Sequence, residues 1–317
     1  MKKRYLVIAL ILLSFISLLI GVIDISVFDI FRLTEDQLEI MMISRIPRLI
    51  SIIIAGVSMS IAGLIMQQLS RNKFVSPTTA GTMDSASLGV LVSLLIFASA
   101  SMMLKMIVAF AFALAGTFIF MKVLDKIKYK DSIFIPLVGL MFGSIIGSIT
   151  TFLGLKYGLI QSVNSWMHGG FSMIMQGRYE MLYLSIPLVA AAYLFANKFT
   201  VAGMGEEFSV NLGLNYKRVV NTGLVIVALV SAISILTVGN IPFLGLIIPN
   251  IVSIYQGDNL KKNLSHTALL GAVFVLACDI FSRLVIYPYE ISISLTVGVI
   301  GSGIFLYLLL RRKSHES

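Results

Sequence analysis

Charged residues are scarce in this 317-residue chain, which holds 12% Asp, Glu, Lys and Arg against 58% hydrophobic residues. A soluble globular domain carries about 25% charged and roughly 45–50% apolar residues. The mean hydropathy of +0.97 agrees with that contrast. A chain of this length cannot hide so much apolar surface from water. The composition therefore excludes a soluble enzyme and predicts that lipid surrounds most of the protein.

Cysteine and histidine are nearly absent. The single cysteine, Cys278, lies in an apolar run, and the three histidines, His168, His266 and His315, are scattered without ligand spacing. This excludes a disulfide framework and a thiolate metal site, so we predict no metal ligands. The formal charge of +9 does not indicate nucleic-acid binding, because the basic residues lie in short connections rather than on one face of a domain.

Catalytic motifs are missing as well. The chain has no G-x-x-x-x-G-K-[ST] phosphate loop, no H-E-x-x-H and no G-x-S-x-G. It is therefore not expected to bind ATP through a phosphate loop. A membrane-embedded enzyme would need a metal or nucleophile constellation within its apolar segments, and the sequence offers none.

What the chain does have is about ten apolar stretches separated by short polar joints. Most of them reach the ~20 residues that a helix needs to cross about 30 Å of hydrocarbon. They predict an all-α integral membrane protein, with residues 1–317 forming a single domain because no loop is long enough for another. The predicted spans are 5–23, 47–69, 84–100, 102–123, 132–155, 180–197, 219–238, 243–256, 265–285 and 292–310. Glycines and prolines between 239 and 257 predict a short or broken helix there.

The basic residues indicate the orientation. Ten spans place both termini on one side, and that side collects 17 of the 24 basic residues. These are Lys2, Lys3, Arg4, Arg71, Lys73, Lys122, Lys126, Lys128, Lys130, Lys198, Lys217, Arg218, Lys261, Lys262, Arg311, Arg312 and Lys313. The positive-inside rule then places both termini in the cytoplasm, in the cell membrane. The loop 24–45 on the other side is acidic. A signal peptide is the alternative for the N-terminal segment, but its apolar run is longer than the usual ~7–15 residues.

Arg45 and Arg48 flank Pro47 at the outer end of the second span. Three residues apart, they share one face of a helix, and Pro47 suits a first helical turn. Two interpretations stay open from these residues alone. The arginines anchor the helix at the interface by snorkelling, or they bind an acidic partner on a side where basic residues are depleted.

Asp279 and Arg283 lie four residues apart near the outer end of the ninth span, followed by Glu290. A charge within a span is costly and is commonly paired or functional. The spacing predicts an intrahelical ion pair for Asp279. For Arg283, surface recognition is the alternative.

Gly139, Gly143 and Gly147 form a four-residue ladder in the fifth span. Small residues at this spacing let helices approach closely, so helix packing is the first interpretation and the lining of a pathway the second.

The loop at about 198–218 predicts a short amphipathic helix that begins near Gly205 and ends at Gly213. Glu206 and Glu207 would lie in its first turn, where they complement the helix dipole. So short a helix is marginal alone, and it packs either on a cytoplasmic partner or on its own bundle.

Several dispersed motifs together resemble the FecCD family of importer permeases for iron–siderophore, haem and vitamin B12. They are Arg45-Ile46-Pro47-Arg48, Ala55-Gly56 to Gly63-Leu64-Ile65-Met66-Gln67, Arg71-Asn72 and Pro77, Gly205-Glu206-Glu207 to Leu212-Gly213-Leu214, Gly239 to Pro249, Gly271-Ala272, Asp279 to Arg283, and Gly298 to Gly301. The similarity covers nearly the whole chain. It departs from the family pattern at Lys73-Phe74, at Asn250 and at Ile291-Ser292.

The resemblance implies a type II ABC importer permease bundle without enzymatic activity or a cofactor of its own. Its partners would be a second permease, identical or related, two cytoplasmic ATPase subunits that use ATP and Mg²⁺, an extracellular binding protein and the lipid bilayer. It assigns binding-protein docking to Arg45, Arg48 and Arg283. It assigns ATPase coupling to the loop helix, through Gly205, Glu206, Glu207, Leu212, Gly213 and Leu214.

We therefore predict import of an iron–siderophore complex. Haem and vitamin B12 are the alternative cargoes. An ion-coupled secondary transporter is the alternative class, and it predicts acidic pairs near the bilayer midplane, for which Asp279 is the only candidate that the spans offer.

Overall fold

The computed structural model describes residues 2–21, 34–126, 134–177, 179–257 and 259–313. Some of the positions named above lie outside the described part: residues 24–33 of the acidic loop, the basic residues Lys128 and Lys130, and His315.

All regular secondary structure in the described ranges is helical. The helices are α1 (Lys3–Leu19), α2 (Glu35–Ile40), α3 (Ile46–Leu69), α4 (Thr82–Ile96), α5 (Met102–Lys126), α6 (Phe134–Lys156), α7 (Ile160–Met167), α8 (Ser185–Ala202), α9 (Glu206–Asn211), α10 (Tyr216–Val238), α11 (Leu244–Gln256), α12 (Leu260–Leu284) and α13 (Ile293–Lys313). A π-helical turn at Met41–Arg45 joins α2 to α3, and 3-10 turns cover Pro77–Ala80 and Glu180–Leu184.

The predicted spans correspond to these helices. Six segments are long and apolar enough to cross a bilayer: Glu35–Leu69, Met102–Leu124, Pro136–Lys156, Glu180–Ala202, Tyr216–Val238 and Leu260–Leu284. Shorter apolar helices cover Thr82–Ile96, Leu244–Gln256 and Ile293–Leu308, and the 17-residue α1 accounts for the first predicted stretch. The prediction of an all-α bundle of about ten apolar helices is confirmed.

The second span starts earlier than predicted. Helical backbone runs from Glu35 through the π-helical turn into α3, so Pro47 lies within a continuous helix rather than in its first turn. Proline has no N–H to donate to the carbonyl four residues before it. That carbonyl, on Ile43, instead accepts a 3.0 Å hydrogen bond from the main-chain N–H of Gln176. The local π geometry therefore lets the helix pass the proline.

Helix α3 is the centre of the fold and packs against α8, α10, α11 and α12. Its small residues allow close crossings. A Cβ on Gly56 would lie 2.8 Å from the Cα of Ala272 on α12, and a Cβ on Gly63 would collide with the main chain of Gly245 on α11. In lipid, such close packing replaces the hydrophobic drive that folds soluble proteins. Helix α10 joins this core to a second one formed by α4, α5 and α7.

The short helix predicted between 239 and 257 is confirmed as α11, which has 13 residues and follows Phe243 in a left-handed conformation. Pro249 lies inside α11 and cannot donate to the carbonyl of Gly245. The side-chain amide of Gln67 reaches that carbonyl at 3.4 Å and the carbonyl of Leu246 at 3.0 Å. Side chains of α3 thus satisfy the main-chain groups that the proline leaves open.

Candidate functional site

One end of the bundle carries an arginine cluster, which consists of Arg45, Arg48, Arg283, Asp279 and Glu290. We call this the arginine end. The carboxylate of Asp279 lies between two guanidinium groups, with 2.8 Å to Nη2 of Arg48 and 2.6 Å to Nη2 of Arg283. Glu290 binds the other side of Arg48, at 2.8 and 3.0 Å from Nη1. The predicted intrahelical ion pair between Asp279 and Arg283 is confirmed.

Two of the arginines also donate hydrogen bonds to the main-chain carbonyls at the end of α1. Arg45 donates from Nη1 to the carbonyls of Leu18 at 2.6 Å and Leu19 at 3.1 Å. Arg283 donates to the carbonyls of Ser17 at 3.1 Å and Ile20 at 3.0 Å. The last carbonyls of a helix have no partner within the helix, and a cation is favourable there because of the helix dipole. These arginines therefore fix the first helix to the bundle.

Burial distinguishes the members of the cluster. Arg45 is 8% exposed, Arg283 5% and Asp279 1%, whereas the side chains of Arg48 and Glu290 are 12% and 31% exposed. The structure thus brings the three predicted docking arginines to one end, but all three contact groups of their own chain. The pair of Arg48 and Glu290 is the most accessible part of the cluster.

A cavity of about 520 Å³ opens beside the cluster. Its walls include Trp166 and His168 from the segment around α7, together with Phe171 and the charged groups of Arg48 and Glu290. The indole N–H of Trp166 donates to the carbonyl of Leu236 at 3.2 Å, which fixes the ring. Sequence analysis did not predict α7, because an eight-residue helix in a loop has too little periodicity to be recognised.

The loop helix lies at the opposite end. It is α9, which begins after Gly205 at φ +120° and is followed by Gly213 at φ +75°, so both predicted boundaries are confirmed. The hydroxyl of Ser209 donates to the carbonyls of Gly205 and Val201 and ties α9 to the end of α8. Large apolar side chains remain uncovered, with Phe208 47% and Leu212 59% exposed. The bundle therefore covers one face of α9 and leaves an apolar face open.

The glycine ladder of α6 packs closely against α4 and lies along a groove. A Cβ on Gly143 would collide with the carboxylate of Asp84 on α4 and lie 3.6 Å from the Cα of Gly81, so α6 packs closely there. Gly139, Gly143 and Gly147 also line an open groove of about 700 Å³. Asp84 lies in the first turn of α4 and faces this groove. The sequence does not single out Asp84, because it stands at the first residue of the predicted span 84–100, where a charged residue at the membrane boundary is ordinary.

Among the described residues, His, Cys, Asp and Glu side chains form no group of three or more that could hold a metal ion. Both carboxylates of the arginine cluster are engaged by guanidinium groups.

The sequence of the whole chain is similar to siderophore import permeases. It is 67% identical over 315 residues to the petrobactin import system permease protein YclN of Bacillus subtilis, covering 99% of this chain and 100% of that protein. It is 40% identical to the petrobactin import system permease protein FatD of Bacillus anthracis, covering 97% and 90% of the two chains. A ferric-anguibactin transport system permease of Vibrio anguillarum is 38% identical, over 84% and 85% of the two chains.

The fold is that of a solved transporter. A metal-chelate type ABC transporter in an inward-facing conformation superposes with a TM-score of 0.85 over 98% of each chain, at 21% identity. The family model of the FecCD transport family matches residues 9–311. With nearly the full length matched, this chain is a membrane permease that belongs to the FecCD transport family.

Proposed function

We propose that this chain is the permease subunit of an ABC importer that carries an iron–siderophore complex into the cytoplasm. The observation that carries the proposal is the 67% identity, over almost the whole chain, to a petrobactin import permease. We further propose a petrobactin-type chelate as the cargo. Under this proposal the chain performs no chemistry and holds no cofactor. ATP and Mg²⁺ act in separate ATPase subunits.

The two ends of the bundle fit the partners that this function needs. The exposed apolar face of α9, with Phe208 and Leu212, supports docking of an ATPase subunit, with Gly205 and Gly213 holding the short helix in place. Residues Glu206, Glu207 and Leu214 belong to the same loop. Two ATPase subunits and a second permease, identical or related, would complete the transporter. We propose that α9 and both termini face the cytoplasm of a cell-membrane protein.

At the arginine end we propose docking of an extracellular binding protein. Arg48 is the best-placed residue, because its contact with Glu290 lies at the surface and a carboxylate from a partner can replace it. Arg45 and Arg283 would act by holding α1 and Asp279 in place. Exposed ion pairs exchange at little cost, so the contact with Glu290 would keep Arg48 oriented until the partner arrives.

Separate transport measurements with three substrates test the proposal. The permease is reconstituted in proteoliposomes with its ATPase and with the binding protein outside, and uptake of ferric petrobactin, haem and vitamin B12 is measured separately. We expect ATP-dependent accumulation of the ferric siderophore alone. Vesicles without the permease are the control. Accumulation of haem or vitamin B12 in place of the siderophore would contradict the cargo assignment.

A further inference from the structure

Asp84 lies at the depth of the membrane interior. The carboxylate lies next to Gly143 and Gly147, which are the tenth and fourteenth of the 23 residues of α6. It is therefore beside the middle of that helix. Helix α4 has only 15 residues and spans about 22 Å, short of the ~30 Å of hydrocarbon. Because Asp84 stands in its first turn, α4 starts beside the middle of α6. A charged group at such depth faces a protein interior or a water-filled path.

The glycine ladder makes room for this carboxylate. A Cβ on Gly143 would overlap Oδ2 of Asp84, and a Cβ on Gly147 would lie 3.4 Å from Oδ1. A negative charge in the first turn also complements the dipole of α4. That role needs only a charge near the helix start and does not explain a carboxylate placed in an open groove of about 700 Å³. Asp84 is half-buried there.

The groove presents hydrogen-bond acceptors. The hydroxyl of Ser144 donates to the carbonyl of Leu140 at 2.8 Å, and that of Ser148 donates to the carbonyl of Ser144 at 2.8 Å. Both oxygens line the groove with their lone pairs unused by those bonds. Together with the carboxylate of Asp84, they make a wall that accepts hydrogen bonds.

No basic side chain of the described residues lines this groove. Apart from its own main-chain N–H, the Asp84 carboxylate has no hydrogen-bond or ion-pair partner in the described part of the chain. This acidic groove differs from the chain as a whole, in which Lys and Arg outnumber Asp and Glu by 24 to 15. The groove therefore suits a ligand group that carries N–H donors and a positive charge, and it disfavours an anion.

We propose that this groove is a cargo subsite in which Asp84 binds a protonated amine of the transported chelate, with Ser144 and Ser148 accepting further hydrogen bonds. The inference rests on the proposed function and adds a selectivity element to it: Asp84 distinguishes chelates with a cationic arm from neutral ones.

The test uses two ferric chelates of the same skeleton, one with a free amine outside the iron-binding groups and one with that amine N-acetylated. The affinities of the two chelates for the isolated binding protein are measured first. A preference of the binding protein for one chelate can then be separated from a preference of the permease. Uptake is then followed in proteoliposomes with wild type, Asp84→Asn and the control Asp36→Asn, which changes an exposed acid on α2. We expect Asp84→Asn to raise KM for the amine chelate roughly tenfold to a hundredfold. For the acetylated chelate, and for the control variant with either chelate, KM should change less than about twofold.

The other outcomes distinguish a failure of the Asp84 subsite from a failure of the proposed import function. If Asp84→Asn impairs both chelates equally, Asp84 has a structural role and the subsite is refuted while the import function stands. If Asp84→Asn loses assembly with the second permease, measured by light scattering in detergent, the carboxylate pairs with that subunit and not with cargo. If wild type transports neither chelate, the proposed function itself fails, and the subsite fails with it.

Discussion

Asp279 of α12 and Arg48 of α3 form an ion pair at 2.8 Å between residues 231 positions apart. The carboxylate is almost fully buried and also binds Arg283. Its single negative charge is shared between two guanidinium groups, and Glu290 supplies a second carboxylate to Arg48. The pair lies next to the end of α1, whose carbonyls accept hydrogen bonds from Arg45 and Arg283. This single contact holds together the beginning of α3, the end of α12 and, through Arg283, the end of α1.

Removal of the Asp279 charge should be the most destabilising change at the arginine end. Asp279→Ala leaves the buried Arg283 without its counter-charge and Arg48 with Glu290 alone, and breaking a buried pair in this way costs about 3–5 kcal/mol. We expect a large drop in the thermal unfolding midpoint of the purified protein in nanodiscs. The matched control is Glu290→Ala, whose pair with Arg48 is near the surface and is worth about 1 kcal/mol or less. Equal losses for the two variants would show that burial of the cluster does not determine its energy.

Substitutions of two different arginines should affect two different properties, binding-protein affinity and thermal stability. Arg48→Gln removes the least buried of the three guanidinium groups and should weaken binding of the extracellular binding protein about tenfold or more, because a charge-assisted contact is lost. Arg45→Gln should lower the unfolding midpoint instead, since the carbonyls of Leu18 and Leu19 lose their donor. Binding to immobilised permease and thermal unfolding measure the two effects. Unchanged affinity for Arg48→Gln would remove the docking role from that residue.

The apolar face of α9 should carry ATPase binding. Phe208→Ser removes a large exposed ring at the opposite end from the arginines, and aromatic anchors commonly account for about 2 kcal/mol or more at interfaces. Co-purification of the ATPase subunit should fall at least tenfold while the permease remains folded. Met42→Ser, an equally exposed apolar position near the arginine end, is the control. Retention of the ATPase by Phe208→Ser would contradict coupling through α9.

Gln67 should be essential for the shape of α11. Gln67→Leu keeps the size of the side chain but leaves the carbonyl of Gly245 without this donor and removes one from Leu246. An unsatisfied buried group costs about 1–3 kcal/mol, and we expect a loss of that order in unfolding experiments. Gln68→Leu is the comparison, because the side-chain amide of Gln68 makes a longer hydrogen bond, of 3.5 Å, to the carbonyl of Thr200. A larger effect at position 68 would refute the account of the proline break.

The sequence predicts the apolar helices well and their partners poorly. Hydrophobic runs, the glycines around α9 and the proline of α11 are local signals, and those helices are found where they were predicted. The predicted span starts within one residue of α3, but the helical backbone from Glu35 to Arg45 that precedes α3 is not predicted, because Pro47 is locally a helix boundary. The carbonyl of Ile43, to which Pro47 cannot donate, instead accepts a hydrogen bond from the N–H of Gln176. That donor is more than a hundred residues away, where no local pattern can indicate it.

The candidate sites show the same division. The spacing of Asp279 and Arg283 correctly predicted their ion pair, because the two residues share one helix face. The contacts of Arg45 and Arg283 with the end of α1 could not be predicted, since they depend on how three separate helices meet. Asp84 was overlooked for a related reason: its depth follows from the middle of α6 beside it, not from its own neighbours in sequence.

The energy source of transport tests the central claim most directly. Proteoliposomes that contain the permease, its ATPase and the binding protein are loaded with ATP, and uptake of iron-labelled ferric petrobactin is followed with and without a protonophore. Because ATP hydrolysis in partner subunits is proposed to drive the cycle, uptake should stop when ATP is omitted and continue when the proton gradient is dissipated. Uptake that survives without ATP but collapses with the proton gradient would contradict an ABC importer and favour an ion-coupled transporter.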